Sequence, residues 1–447
     1  MKNNYFAESE QVIGKAIRIG ADAAEVYIIN SQDLSIEVAN GQIETMKNAQ
    51  TVGMGIRVMK SNKMGYAFST DLSKIAVDHT VHKAVANAAI AGENKHNVLP
   101  RQNLPYRSLA IYDPEIETTK LNHKIQLAKD IEISAKAEDS RITIIENCTY
   151  QDSVYSISLV NSNGIQAYYE GSYCGGYAFL VGEDQGDSQT GFSFQYKLKI
   201  SELDPQIIGK EAAQKAIRML GAKEVPTQRA TVIFDPYIVT SFLGVLAPSL
   251  SAEAVQKGRS IFAGKVGETV ASVDITLVDD GALDGGIASA PFDGEGVPTQ
   301  RTVLINKGTL LGYLHNTYTA SKEGTNSTGN GVRDSFKSTP EINTTNFYFD
   351  KGPFTKEDLF NGVEKGLYVT DVMGMHTANP ISGDFSVGAA GIWIERGELK
   401  GPVRGIAIAG NLLSLLKSIN GVADNLTFFL GKGAPSVRIE EMTISGS

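Results

Sequence analysis

Between residues 6 and 19 the apolar side chains recur at spacings of three and four (Phe6, Ile13, Ile17; Val12, Ala16, Ile19), and Gly20 follows where a left-handed cap would sit, which predicts an amphipathic opening helix. The segments "AEVYIINS" and "LSIEVANGQIETM" switch to period-two alternation, and Asn40-Gly41 between alternating runs predicts a hairpin. Helical patterns return over roughly 71–91 and 121–137. Short strands fill 142–200, with Asn163-Gly164 as a second hairpin turn. Asp204-Pro205 then opens a helix running through Leu220, with Gly221 just past its end.

"GAKEVPTQR" looks like a linker, which places the main boundary near 222–228. The chain thus divides into an amino-terminal mixed α+β region, 1–222, itself divisible near 110–120, and a β-rich carboxy-terminal domain, 229–447. Runs such as "RTVLINKGTLLGYLHN", "LYVTDVMG", "GIWIERGELKG" and "GIAIAG" predict a strongly curved or barrel-like, mostly antiparallel sheet with few helices, near 237–256 and 411–419. The fold class is therefore α+β. "PTQRATVIF" (226–234) and "PTQRTVLIN" (298–306) resemble each other, but nine residues are too few to define a repeat architecture. The polar stretch "SKEGTNSTGNGVRDS", 321–335, rich in Gly, Asn, Ser and Thr, cannot build a core and reads as a mobile loop, a candidate lid or substrate-gripping segment or else a plain surface loop.

Composition narrows the function classes. A chain of 447 residues with 42% apolar and 20% charged positions is an ordinary folded protein. Its net charge of −9 and lack of a Lys/Arg cluster argue against direct nucleic-acid binding. The two cysteines, Cys148 and Cys174, form neither a disulfide framework nor a thiolate metal site, which suits a reducing cytoplasm. "MKNNYFAESEQVIGKAI" lacks the apolar run of a secretory signal, and Pro236 to Ala252, although uncharged, falls short of a membrane span.

Motifs of known chemistry are sparse. His79 and His82 share one helix face without a supporting ligand cluster and read as a solvated surface. His376, Asp384 and Ser386 crowd together in "HTANPISGDFSVG", but Gly383 to Gly388 is one residue too long for a nucleophile elbow and leads into a strand. "FLGKGAP" has Gly433 where a P-loop needs Ser or Thr. In "DGEGVPTQR", Asp293 and Glu295 are paired carboxylates in a Gly/Pro loop, more in keeping with turn residues than with acid/base work.

The second half also carries a resemblance. "FDGEGVPTQRTVLINKGTLLGYLHNTYTA", "NSTGNG", "TDVMGMHTANPISGDFSVGAAGIWIERGELKGPVRGIAIAGNL" and "IEEMTISG" follow in order across 290–446 and resemble the TldD/PmbA proteins, within them the PmbA (TldE) branch. "AEVYI" and "NGQIE" extend the likeness more loosely into the first half. The resemblance implies a cytosolic protein of a metallopeptidase family linked to peptide-antibiotic (microcin) maturation, degradation of unfolded small proteins and modulation of DNA gyrase. It implies that the TldD branch carries H-E-x-x-x-H and a late Cys for zinc, whereas the PmbA branch lacks them and pairs with TldD.

Anchored on "IFAGKVGETV", 261–270, the three motif positions fall on Leu243, Gly244 and Pro248, and the late Cys near Gly421. None of these side chains can bind zinc or take a proton from its water. Between Pro236 and Ile261 there is no histidine, and Glu253 is the one acidic residue. The resemblance therefore implies a chain with no cofactor of its own, a zinc-bearing TldD-type paralogue as partner, and a peptide or unfolded-protein substrate. A homodimeric, chaperone-like peptide binder is the alternative, and an unaided hydrolase using His376, Asp384 and Ser386 a remote third. Position within the resembling blocks makes Asp293, Glu295, Arg301, His315, Ser327, Thr328 and Asp384 the substrate-channel candidates.

Overall fold

The computed structural model describes residues 4–101 and 105–446. Met1 to Asn3, at the head of the stretch weighed as a signal, and Ser447, the end of the expected second domain, lie outside the described residues. The first half is built twice from one motif. Helix α1 (Phe6–Arg18), strands β1 (Ala23–Ala39), β2 (Gln42–Lys60) and β3 (Lys63–Ser69) and helix α2 (Lys74–Ile90) form one αβββα unit. After the short α3 (Pro114–Thr118), helix α4 (Leu121–Glu138), strands β4 (Ile142–Asn161), β5 (Gln166–Asp184) and β6 (Asp187–Lys197) and helix α5 (Pro205–Ile217) form the other. Antiparallel pairing of β1 with β4 joins them into one six-stranded sheet of order β3-β2-β1-β4-β5-β6.

Period-two alternation puts Val26, Ile28, Ile36 and Val38 of β1 under the helices, in two cores that also hold Val12, Ala16 and Val81 on one side and Ile131, Tyr150 and Ala212 on the other. The opposite face presents Tyr27, Ile157 and Leu159 to Phe292 and Phe336 of the second half. Helix α1 differs from its expected stripe at one position: Ile17 is exposed, and Ser9 is buried in its stead. Asn40-Gly41 forms the expected two-residue turn, with φ of 51° and 72°, the twist that suits paired strands. Asn163-Gly164 instead sits in a wider connection, because the Asn161 side chain captures the N–H groups of Asn163 and Ile165.

In the second half, β7 (Gln228–Phe234) leads into helices α6 (Pro236–Leu246) and α7 (Ala252–Gln256), then β8 (Leu277–Asp280), β9 (Arg301–Asn306), β10 (Thr309–Leu310), α8 (Thr317–Glu323), β11 (Gly331–Val332), β12 (Glu341–Ile342) and β13 (Phe347–Phe349). The chain ends with β14 (Lys365–Met373), β15 (Asp384–Glu395), β16 (Glu398–Asn411), α9 (Leu412–Ser418), β17 (Ile419–Val422), β18 (Thr427–Phe429), β19 (Lys432–Ala434) and β20 (Val437–Ser445). Strands β16-β15-β14-β7-β20 close into a five-stranded barrel through the β16–β20 pairing, and β17 adds to the edge of β20. A second sheet runs β10-β9-β8-β13-β19-β18. The similar segments at 226–234 and 298–306 become β7 of the barrel and β9 of this sheet, two separate environments.

Helix α6 lies in the core between barrel and sheet, which is why it is apolar nearly all round: Ile238, Val239, Phe242, Leu243 and Leu246 are all buried. Asp235 caps it through the Tyr237 N–H and Pro236 occupies its first turn. The single helix expected over 237–256 is broken. Pro248 has no N–H to continue the ladder, so the chain passes through a 3-10 turn, Ala247–Leu250, and Ser251 caps α7 afresh through the Glu253 N–H. The expected mobile loop is also partly overturned. Residues 321–323 finish α8, and Asn330 and Arg333 are buried and hydrogen-bonded into the interior.

Candidate functional site

Two places bear on function. The first is the α6 region. Leu243 is 1% exposed and lines a narrow slot with Phe234, Leu246, Phe349, Leu416 and Ile439, a wholly apolar lining. Gly244, one residue on, faces β19: a Cβ built there would lie 3.2 Å from Lys432 Nζ. Pro248 is exposed. The three positions therefore do not converge on a common point. Gly421 does not complete them. It sits in β17 against Leu359 and Arg438, and the carboxy-terminal residue beside Gly244 is Lys432. An ammonium and a hydrocarbon slot cannot hold zinc, and the implied metal does not fit this chain at this place.

The second place is a buried ionic cluster between the halves. Glu25 of β1 and Arg57 of β2 are register partners on the sheet face away from the helices. Arg57 grips Glu25 through Nε and Nη2, at 3.0 and 2.9 Å, and reaches across to Glu295 with Nη1 at 3.1 Å. Arg333 donates from Nη2 to Glu25 as well, and from Nε to the Gly294 carbonyl at 2.7 Å. The Thr317 N–H, at the start of α8, binds the second oxygen of Glu295 at 2.7 Å. Glu25 and Glu295 are each 1% exposed. Burial alone would lower the Arg57 guanidinium, but Glu25 and Glu295 outweigh it and raise it above its ordinary value.

Asp293 adjoins this cluster. Its oxygens accept from the N–H groups of Glu295, Val297 and Gly331, at 2.9, 3.0 and 2.8 Å. Those bonds favour its anion, yet burial first and the charge of Glu295 second prevail, pushing it up to about 8. His315 is buried nearby. Its N–H donates to Thr328 Oγ1 at 2.8 Å, its carbonyl accepts from Ser327 Oγ at 3.0 Å, and its Nε2 lies 3.7 Å from Glu323 Oε2. Burial lowers the His315 imidazole against the opposing pull of Glu323, and its Nδ1 has no hydrogen-bond partner among the described residues.

A cleft of about 420 Å³ lies over the cluster, lined among others by Arg57, Glu295, Glu253, His96, Asn316 and Tyr318. Of the seven sequence candidates, the fold groups Asp293, Glu295, His315, Ser327 and Thr328 around the segments that flank α8. Arg301 is exposed on β9 beside Tyr348, and Asp384 is exposed on β15, its carboxylate accepting from Asn411 and its N–H donating to Ser382 Oγ. These two stand apart from the cluster. Among the described residues no hydrogen bond joins His376, Asp384 and Ser386, and His79 and His82 are exposed on α2. Sequence reasoning missed Glu25, Arg57 and Arg333. The available signal was a charge in the middle of an apolar run, as in "AEVY" and "GIRVM".

The chain matches the PmbA/TldA metallopeptidase domain 1 over residues 24–88, the central domain over 114–220 and the C-terminal domain over 227–446. The chain belongs to the PmbA/TldD family, in its PmbA (TldE) branch. It is 28% identical over 453 residues to the metalloprotease PmbA of Escherichia coli O157:H7, covering 98% of this chain and 96% of that one. It is 27% identical over 460 residues to a metalloprotease TldD homologue of Haemophilus influenzae, covering 95% and 93%. Among solved structures, TldE of Thermococcus kodakarensis superposes with a TM-score of 0.90 at 27% identity, covering 98% and 99%. A Thermotoga maritima protein provisionally named a modulator of DNA gyrase does so with a TM-score of 0.91 at 29% identity, covering 98% and 100%. No described helix is long and apolar enough to cross a membrane.

Proposed function

We propose that this chain is a metal-free, peptide-holding subunit that works in the cytoplasm with a zinc-bearing TldD-type paralogue, in the cleavage or maturation of peptides and unfolded small proteins. The observation that carries this reading is the α6 region, where Leu243 is buried in hydrocarbon, Gly244 faces Lys432 and Pro248 points to solvent. Zinc hydrolysis needs about three converging protein ligands and a carboxylate to take the proton from bound water. This chain supplies neither there, so on this reading the reaction is the partner's. Its own contribution is the polar cleft between the halves, where Glu253, His96, Asn316 and Tyr318 offer hydrogen bonds to an extended peptide.

The test is reconstitution. The chain and a TldD-type subunit from the same host are purified separately, and cleavage of an unfolded polypeptide is followed with each alone and with both. Cleavage that needs both and stops with a chelator supports the proposal. Full activity of the TldD-type subunit without this chain sinks the partnership and favours the homodimeric binding protein.

A further inference from the structure

Beneath the sheet face that meets the second half lies a cavity of about 220 Å³. One side is aromatic: Tyr27 of β1, Tyr155 of β4 and Tyr169 of β5, with Phe292 opposite. Tyr169 stands edge-on to Tyr155, ring centroids 6.2 Å apart, and edge-on to Phe292 at 5.0 Å. The hydroxyls of Tyr27, Tyr155 and Tyr169 make no hydrogen bond with any described residue, although Tyr27 is only 6% exposed. None of the three oxygens is sealed from solvent, so water or a ligand in the cavity can supply the missing bond. Asp293 and Arg333 also line the cavity.

The charge around this space is unbalanced. Three carboxylates, those of Glu25, Asp293 and Glu295, face the two guanidinium groups of Arg57 and Arg333, so ionised Asp293 leaves one negative charge in excess. Asp279, behind the lining residue Thr345, adds to it. Asp293 accepts three N–H bonds, and two carboxylate oxygens offer about four acceptor sites, so one remains. Aromatic faces attract cations, and the molecule already uses this locally: the Arg333 guanidinium lies 4.9 Å from the Tyr27 ring centroid. Among the described residues, no cation lies over the faces of Tyr155, Tyr169 or Phe292.

We propose that this cavity is a binding site for an organic cation, a primary ammonium or guanidinium group at the end of a short alkyl chain. The walls stack on the cation, the phenol oxygens and the free acceptor site of Asp293 take its N–H bonds, and its charge offsets the excess. A volume well under that of a drug-sized pocket suits one such group. The same chemistry is found in a free amine and in a Lys or Arg side chain of a bound peptide. The site stands independently of the partnership proposed above, since its occupancy requires no second subunit.

The test is calorimetric titration of the full chain with n-butylammonium chloride, n-butanol and sodium butyrate. The proposal expects saturable binding of the ammonium, at least tenfold tighter than that of the alcohol or the carboxylate. Tyr169→Leu is expected to weaken it at least fivefold, and Tyr169→Phe, which keeps the ring, by less. Affinity should climb as the pH rises from 6 to 8.5 and Asp293 ionises beside Glu295, Arg333 and Tyr106. Equal affinity for butanol, no saturable ammonium binding, or an unchanged affinity in Tyr169→Leu that is shown folded by circular dichroism would each overturn the proposal. A capped Gly-Lys-Gly peptide tested alongside distinguishes the sources: binding at least as tight as butylammonium assigns the site to a peptide side chain, and binding of the amine alone assigns it to a free amine.

Discussion

Replacing Arg57 by methionine keeps most of the side-chain volume and removes one of the two guanidinium groups that join the halves. Arg57 is 5% exposed and holds two carboxylates that are each 1% exposed, through three hydrogen bonds of 2.9–3.1 Å. After the change Glu25 keeps Arg333, but Glu295 keeps only the Thr317 N–H and is left as a buried charge without a counter-ion. Removing one partner of a buried pair costs about 3–5 kcal/mol, against about 0–1 kcal/mol for an exposed pair. Urea unfolding followed by circular dichroism, on wild type, Arg57→Met, Glu295→Gln and the double variant, measures the loss directly. Because Glu295→Gln removes the orphaned charge, the double variant should recover about 1 kcal/mol or more relative to the sum of the single losses. A loss under about 1 kcal/mol for Arg57→Met, with strictly additive effects, would refute the reasoning, since that is how a solvent-screened pair behaves.

Three further expectations follow from the same geometry. Leu243→His, Gly244→Glu and Pro248→His made together should not give stoichiometric zinc by equilibrium dialysis, because the positions diverge, Lys432 stands beside the middle one and no metal-ligating cluster exists among the described residues; one zinc per chain would contradict this. Asp293, raised in the folded state to about 8 while an unfolded aspartate titrates near 3.9, is protonated in the fold over a range where the unfolded chain is not, so its contribution to stability falls as pH rises from about 4 to about 8 and is level above. The melting temperature of wild type minus that of Asp293→Asn should therefore fall as the pH rises across that range, and a constant difference would count against the shift. Gly65→Ala should cost about 1–3 kcal/mol in urea unfolding, because its Cβ would lie 2.1 Å from the Ala84 carbonyl and α2 must lift off β3; a neutral result would mean that helix has room to move.

Local pattern made the first half legible. Period-two runs and Asn40-Gly41 located β1 and β2, and proline at a helix start with glycine beyond its end located α5, because these signals act within a few residues. Barrel closure through β16 and β20 and the joining of two αβββα units through β1 and β4 were not legible, since pairing partners so far apart in sequence leave no local trace. At the site, Asp293 and Glu295 were visible as paired carboxylates, but their counter-ions Arg57 and Arg333 come from segments far from them in sequence. The approach of Lys432 of β19 to Gly244 of α6 was equally illegible, since the two lie far apart in sequence. The loop 321–335 misled in part for a related reason: two of its polar residues, Asn330 and Arg333, are buried against other polar groups, which composition alone reads as exposure.

The most direct measurement is of the purified chain by itself: bound zinc by atomic absorption, together with cleavage of an unfolded polypeptide with and without chelator. Less than a tenth of an equivalent of zinc and no chelator-sensitive cleavage until a TldD-type subunit is added is the result the α6 geometry predicts. One equivalent of zinc with chelator-sensitive cleavage by the chain alone would contradict it.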